Sequence, residues 1–176
     1  IMAVKSGRAI RFPEDKVRPT GRGAIGVAGI EVEQEGDEVV GMICVSRDDN
    51  TKTVLVVSEK GYGKRTPVDE YRITNRGGKG VKTINVTEKT GKLVGILDVQ
   101  SKEDLMITCI SGITIRMSVE QISEQGRATQ GVKLIRLDDG DEIAAITQLD
   151  EEAVVKGEGA EGEGQVNPLP GESDPT

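Results

Sequence analysis

Histidine and tryptophan are missing from this chain of 176 residues, and only 2% of it is aromatic. Without histidine, the commonest general base and the usual nitrogen ligand of zinc are both unavailable. Two cysteines, Cys44 and Cys109, are too few for a disulfide framework or a thiolate zinc site. They stand in the apolar runs GMICV and MITCI and are expected to be buried thiols. No apolar run approaches the ~20 residues of a membrane-spanning helix, and no secretory leader opens the chain. A cytoplasmic location is the resulting expectation. The chain begins with Ile1 in the run IMAV rather than with an initiator methionine, as expected of a piece of a longer protein. Carboxylates are abundant but gather in turns, where solvated charge accounts for them. Tyr62 and Tyr71 have no neighbour that marks a nucleophile, so packing is their expected role. No catalytic residue, metal site or cofactor is expected in this stretch.

The net charge of −7 is not spread evenly. From Asp150 onward there are eight acids and one lysine; before it, 22 Lys and Arg balance 22 Asp and Glu. A neutral body therefore carries an acidic tail, 151–176, rich in Gly, Glu and Pro. Such a composition buries too little apolar surface to offset its ordering entropy, and disorder is expected there.

Glycine is abundant, 23 residues, beside many β-branched residues, a composition of short strands and frequent turns. A repeat organises them. SGRAIRFPEDKVRPTGRGAIGVAGIEV from Ser6, KGYGKRTPVDEYRITNRGGKGVKTINV from Lys60 and SGITIRMSVEQISEQGRATQGVKLIRL from Ser111 align without a gap over 27 residues. Gly7, Gly61 and Gly112 coincide, as do Gly26, Gly80 and Gly131. Arginine recurs at two phases, Arg11, Arg65 and Arg116 and then Arg22, Arg76 and Arg127. Apolar runs flank each copy, and SRDDNTK, TEKTGK and LDDGDE mark turns. Alternation in KTINV and KLIRL predicts strands at 82–86 and 133–137. Each unit then reads strand, turn, strand, basic Gly loop, strand, turn, strand, the size of one propeller-type blade. One helical turn is possible at PVDEY and at SVEQI, with Pro67 suited to a first position. The fold expectation is all-β and propeller-like, with three four-stranded units at about 1–53, 54–104 and 105–150.

GRGAIG at Gly21 matches the dinucleotide pattern G-x-G-x-x-G, but strand-like sequence follows where a helix is required. A second match, GEGAEG, falls in the tail and shows how easily the pattern arises by chance. The basic residues carry more information. Lys60 to Lys82 holds seven bases and two acids, while acids gather elsewhere, as in EVEQEGDE. Arginine at fixed phases of a repeat would line up into a cationic stripe, which suits a polymer of repeating phosphates. Glycines beside it let backbone approach phosphate closely. With few aromatics for base stacking and no recognition helix, the partner expected is duplex DNA, bound without reading its sequence. The candidate contacts are Arg8, Arg11, Arg22, Lys64, Arg65, Arg72, Arg76, Gly77, Gly78, Lys79, Lys82, Arg116, Arg127 and Lys133.

GYGKRTPVDEY, NRGGKGVKTINV, GRATQGVKLIRL and the acidic end, in this order, resemble the last part of the DNA gyrase A protein, its C-terminal domain. The resemblance covers about 1–150. It implies a β-pinwheel, here about three blades of a six-bladed array, that wraps DNA around a basic rim. The parent enzyme would be an ATP-hydrolysing type IIA topoisomerase that introduces negative supercoils. Its ATP and magnesium sites, its catalytic tyrosine, the gyrase B protein and a second gyrase A protein would all engage residues outside this stretch. The family's hallmark box reads Gln, basic, Arg, Gly, Gly, basic, Gly. Residues 74–80, TNRGGKG, keep Arg76 to Gly80 but carry Thr74 and Asn75 in the first two places, as expected of a later blade. A piece of such an array is expected to expose a blade edge. The related domain of topoisomerase IV, or a propeller-like protein-interaction module, are the alternative readings.

Overall fold

The computed structural model describes residues 1–32 and 35–149; the acidic tail lies outside them. Three antiparallel sheets follow one another along the chain. The strands are β1 (Met2–Val4), β2 (Arg8–Ile10), β3 (Val39–Met42), β4 (Thr53–Ser58), β5 (Tyr62–Pro67), β6 (Val81–Lys82), β7 (Leu93–Val99), β8 (Asp104–Cys109), β9 (Thr114–Ser118), β10 (Val132–Lys133) and β11 (Ile143–Leu149). The all-β expectation holds, with helix among the described residues confined to single 3-10 turns at Glu14–Lys16, Val68–Glu70 and Val119–Gln121. Pro67 caps the second of these as the last residue of β5 rather than opening it.

The sheets do not coincide with the sequence repeats. Their strand orders are β3-β1-β2-β6, β10-β5-β4-β7 and β11-β8-β9. The outermost strand of the first sheet, β6, comes from the second repeat, and that of the second sheet, β10, from the third. Among the described residues the third sheet has three strands, and β9 is its open edge. Two of the sheets have the four strands expected of a unit, the outermost strand of each supplied by the next repeat. The strands expected at 82–86 and 133–137 are correspondingly shorter, because the chain leaves each sheet after Lys82 and Lys133. Beyond Lys82, the Thr83 N–H donates to the Gly7 carbonyl at 2.9 Å, and the Asn85 N–H to the Thr129 carbonyl at 3.0 Å. The chain here bridges the sheets of two repeats, and its alternating pattern does not mark a longer strand.

Burial explains the two kinds of strand pattern. Val54, Leu55, Val56 and Val57 of β4 are all fully buried. Val54 and Val56 pack into a core with Ala3, Ala9 and Ile43, while Leu55 and Val57 face a second core with Leu105 and Ile107. A sheet covered on both faces needs a continuous apolar run, and each such side chain contributes roughly 1.5–3 kcal/mol relative to exposure. In β8 only alternate residues, Leu105, Ile107 and Cys109, are buried, because one face of the third sheet is open. Tyr71 is 1% exposed and its hydroxyl meets the Thr83 hydroxyl, so both act in packing. Of the two cysteines Cys109 is buried as expected, but Cys44 is exposed, beyond the end of β3.

Candidate nucleic-acid interface

The Gly loop at 73–80 lies across the first repeat. The Thr74 N–H donates to the Arg11 carbonyl at 2.9 Å, the Gly77 N–H to the Gly29 carbonyl at 2.6 Å, and the Gly78 carbonyl accepts from the Glu31 N–H at 2.9 Å. Gly80, at φ 68°, leads the chain into β6 so close to β2 that a Cβ would stand 2.3 Å from the Ala9 carbonyl oxygen. Only glycine accepts that approach. Gly77 and Gly78 are thus used in docking one repeat on another, and the Gly77 N–H is already occupied.

The recurrent arginines serve the same junctions. Arg76 donates from Nε to the Lys16 carbonyl and from Nη1 to the Ala28 carbonyl, both at 3.0 Å. One repeat later Arg127 does the same to the equivalent Glu70 and Lys82 carbonyls, at 3.2 and 2.9 Å. Arg11 Nη1 reaches forward to the carbonyls of Val68 and Tyr71, at 3.0 and 3.2 Å. Arg65 Nε reaches the Ile122 carbonyl at 2.8 Å and its Nη1 the Ser101 hydroxyl at 2.9 Å. Hydrogen bonds from charged donors to backbone carbonyls are the stronger kind. The recurrence of arginine, read from sequence as a phosphate stripe, has a structural cause in these staples.

Lys64 is fully buried. Its ammonium donates to the Gly126 and Arg127 carbonyls, both at 2.6 Å, and to the Thr129 hydroxyl at 3.1 Å. Burial, and then the charge of Arg127, push its pKa down to about 8. Lys64 and Arg65, the latter 9% exposed, lie inside the protein, and neither is placed to meet a phosphate on its surface.

The remaining candidates are more accessible. Arg8 is half-buried and donates to the Lys79 and Gly80 carbonyls at 2.8 and 3.2 Å. Arg22, Arg72, Lys79, Lys82, Arg116 and Lys133 are exposed. Arg116 pairs with Asp104 at 2.6 Å, and Lys82 Nζ reaches the Asn85 side chain at 3.3 Å. Lys82 and Lys133 occupy equivalent positions on β6 and β10, opposite Arg8 and Tyr62 respectively. Lys133 and Lys89 stand 6.0 and 5.5 Å from the Tyr62 ring centroid. Nothing in the sequence marks Lys89, because Glu88 beside it makes an ordinary charged turn; only the fold brings it to Tyr62.

A chain of this fold has known relatives. The family model of the DNA gyrase C-terminal domain, beta-propeller, matches residues 5–46, 52–100 and 111–150. The chain belongs to this family. The three matched stretches are the three repeats. The A subunit of DNA gyrase from Staphylococcus aureus (strain MRSA252) is 52% identical over 144 residues, covering 82% of this chain and 16% of the relative. The chain therefore spans about a sixth of the length of that gyrase protein. A solved gyrase A C-terminal domain superposes with a TM-score of 0.72 at 27% identity, over 85% of this chain and 50% of the other. The C-terminal domain of DNA topoisomerase IV gives a TM-score of 0.77 over 89% and 50%, at 18% identity, a likeness of fold alone. Among the described residues of this gyrase-family chain, no helix is long and apolar enough to cross a membrane.

Proposed function

We propose that this chain holds duplex DNA along the outer edges of its sheets, as part of a DNA gyrase A protein. The observation that carries the reading is the pair of exposed lysines, Lys82 and Lys133, at one register on the outermost strands of two successive sheets. Arg22, Arg72, Lys79, Lys89 and Arg116 complete the contact set. Arg8, Arg11, Lys64 and Arg65 leave it, since their donors hold protein groups, and Arg76 and Arg127 position the loops that carry the outer strands. Binding through phosphates releases counterions without reading bases. Smooth bending of ~20–30 base pairs costs on the order of 1–6 kcal/mol, so wrapping needs several such contacts at once. In the parent enzyme this serves ATP-dependent negative supercoiling, with the gyrase B protein, a second gyrase A protein, ATP and magnesium bound outside this stretch, in the cytoplasm. The 52% identity to a gyrase protein favours gyrase over topoisomerase IV, whose domain shares the fold at 18% identity.

The test is a salt titration of duplex binding. Each phosphate contact adds about 0.9 to the slope of log affinity against log salt. Replacing Lys82 and Lys133 together by Ala is expected to weaken unrelated duplexes alike and to flatten the slope by up to ~2. The melting temperature should hardly move, because both side chains are exposed. An unchanged affinity and slope would leave the edge without a DNA role. An interaction module for acidic proteins would be shown by a protein complex that duplex DNA fails to displace.

A further inference from the structure

The turn at 126–129 ties the third repeat to the outer edge of the first sheet. Its Arg127 donates from Nη1 to the Lys82 carbonyl at 2.9 Å, and its Thr129 carbonyl accepts from the Asn85 N–H at 3.0 Å. The Asn85 side chain in turn accepts from Lys82 Nζ at 3.3 Å. Lys82 and Asn85 are therefore both fixed through one turn. The turn itself rests on β5. The Thr66 hydroxyl donates to the Gln125 carbonyl at 3.0 Å, and the Lys64 ammonium directs its protons to the Gly126 and Arg127 carbonyls and the Thr129 hydroxyl.

The first junction makes the same outgoing bonds on a different support. Arg76 donates to the Ala28 carbonyl, and the Gly78 carbonyl accepts from the Glu31 N–H, the counterparts of the bonds from Arg127 and to Thr129. Beneath that turn Ile10 stands where Lys64 does, and Gly78 stands where Thr129 does. A Cβ at Gly78 would lie 3.8 Å from Ile10 Cδ1. An apolar side chain beneath a glycine thus supports the same fold without charge. In the second junction a buried ammonium takes that place at a cost in desolvation, and two carbonyls and a hydroxyl are turned to receive it. Stability alone does not call for a charge there.

We propose that Lys64 is a positioning residue for DNA binding, holding Lys82 in place on the outer edge from inside the protein. The inference rests on the duplex-binding reading above. Lys64 is buried away from phosphate and acts through the turn at 126–129, then through Arg127 and Asn85. Its proton matters because the ammonium meets three acceptors with three donors, whereas the neutral amine has one donor fewer. Charge-assisted bonds are also about twice as strong as neutral ones. Arg127 and Glu70 are the charged groups that face it; β4 beside it carries none, and Lys133 of β10 is exposed. Burial, followed by Arg127, brings the loss of its proton down to about pH 8. Burial pushes Tyr71, which reaches Thr83 and Thr66, above its ordinary value instead. Once Lys64 is neutral the turn loosens and Lys82 is presented less firmly to phosphate. The contribution of Lys64 to global stability rises over the same range, so unfolding does not produce the loss of affinity.

Duplex binding by the 176-residue chain at fixed salt, from about pH 7 to about pH 9, tests this. One linked proton changes affinity at most ~10-fold per pH unit, and a fall of roughly 3–10-fold across the range is expected. Lys82→Ala is expected to bind more weakly at the low end of the range and to show no such fall, because the group that Lys64 positions is gone. Lys64→Ile with Thr129→Gly transplants the pair found beneath the turn of the first junction. This double variant is expected to fold, as circular dichroism would check, and to bind with an affinity that does not follow pH. A flat profile in the unchanged chain, or a fall in Lys82→Ala or in the double variant as steep as in the unchanged chain, would overturn the proposal alone. An unchanged chain that binds no duplex at the low end of the range would overturn the duplex-binding reading, and this inference with it.

Discussion

Replacing Lys64 by Met would show whether a buried ammonium burdens the fold at neutral pH. Its three partners are two carbonyls and a hydroxyl, and burial followed by Arg127 lowers its pKa from 10.5 to about 8. Between those values the unfolded chain binds a proton that the folded chain does not. By linkage, the contribution of Lys64 to stability rises with pH across that window. The cost is fully present below about 8 and fades as pH climbs toward 10.5. At ~1.36 kcal/mol per pH unit the whole window is worth about 3 kcal/mol. Lys64→Met deletes this titration but takes the charged donor from the Gly126 and Arg127 carbonyls, so it is expected to be less stable at every pH. The informative quantity is the stability difference between the parent chain and the variant, from urea unfolding at several pH values from about 7 to about 10. Groups common to both proteins cancel in this difference. The difference is expected to widen by up to ~1.4 kcal/mol per pH unit above about 8. A difference that stays flat would mean that Lys64 keeps an ordinary pKa, and the argument from burial would fail.

Gly131→Ala places a Cβ 2.6 Å from the Gly63 carbonyl oxygen at a φ of 81°, and a loss of roughly 2–5 kcal/mol in urea unfolding is expected. Gly126→Ala, where a Cβ meets nothing within 4 Å, should by comparison be nearly silent. Arg65→Met strips the Ile122 carbonyl and the Ser101 hydroxyl of their charged donor and should cost roughly 2–4 kcal/mol, while the salt slope of DNA binding by the folded variant stays as it was. Deleting 151–176 is expected to tighten DNA binding at low salt and less so at high salt, because a tethered polyanion competes for the same cations and is screened. Equal affinities at low salt would remove the tail from the mechanism.

The repeat and the strand-rich fold are legible in the sequence because they depend on local pattern. The continuous run VLVV, the alternating LMITC and the turn glycines each fix their own conformation. PVDEY and SVEQI foreshadow the 3-10 turn after each arginine-bearing strand. Which sheet a strand joins leaves no such trace. Val81 and Lys82 would look the same in either sheet, and the exchange depends on the close approach at Gly80. The arginines mislead for a related reason. Their acceptors are backbone carbonyls, such as those of Lys16 and Ala28, and a carbonyl is present whatever residue bears it. Arg76 therefore recurs at a fixed phase whether it holds DNA or the neighbouring repeat. Lys64 reads as a surface residue for want of a nearby acid, yet carbonyls and a hydroxyl receive its ammonium.

The passing of strands between repeats also bears on how the chain emerges from the ribosome. Strand β2 ends at Ile10, but the strand that covers it ends at Lys82. At ~5–20 residues per second the first sheet waits about 4–14 s for its outer strand, and the second waits about as long for Lys133. Throughout synthesis, therefore, the nascent chain trails one incomplete sheet whose unpaired edge faces the crowded surroundings of the ribosome. Growth proceeds as in a zip fastener: each repeat closes the sheet behind it and leaves its own open for the next. Stalled translation within 60–80 would leave a three-stranded first sheet with its edge bare, the kind of edge that recruits a neighbouring nascent chain.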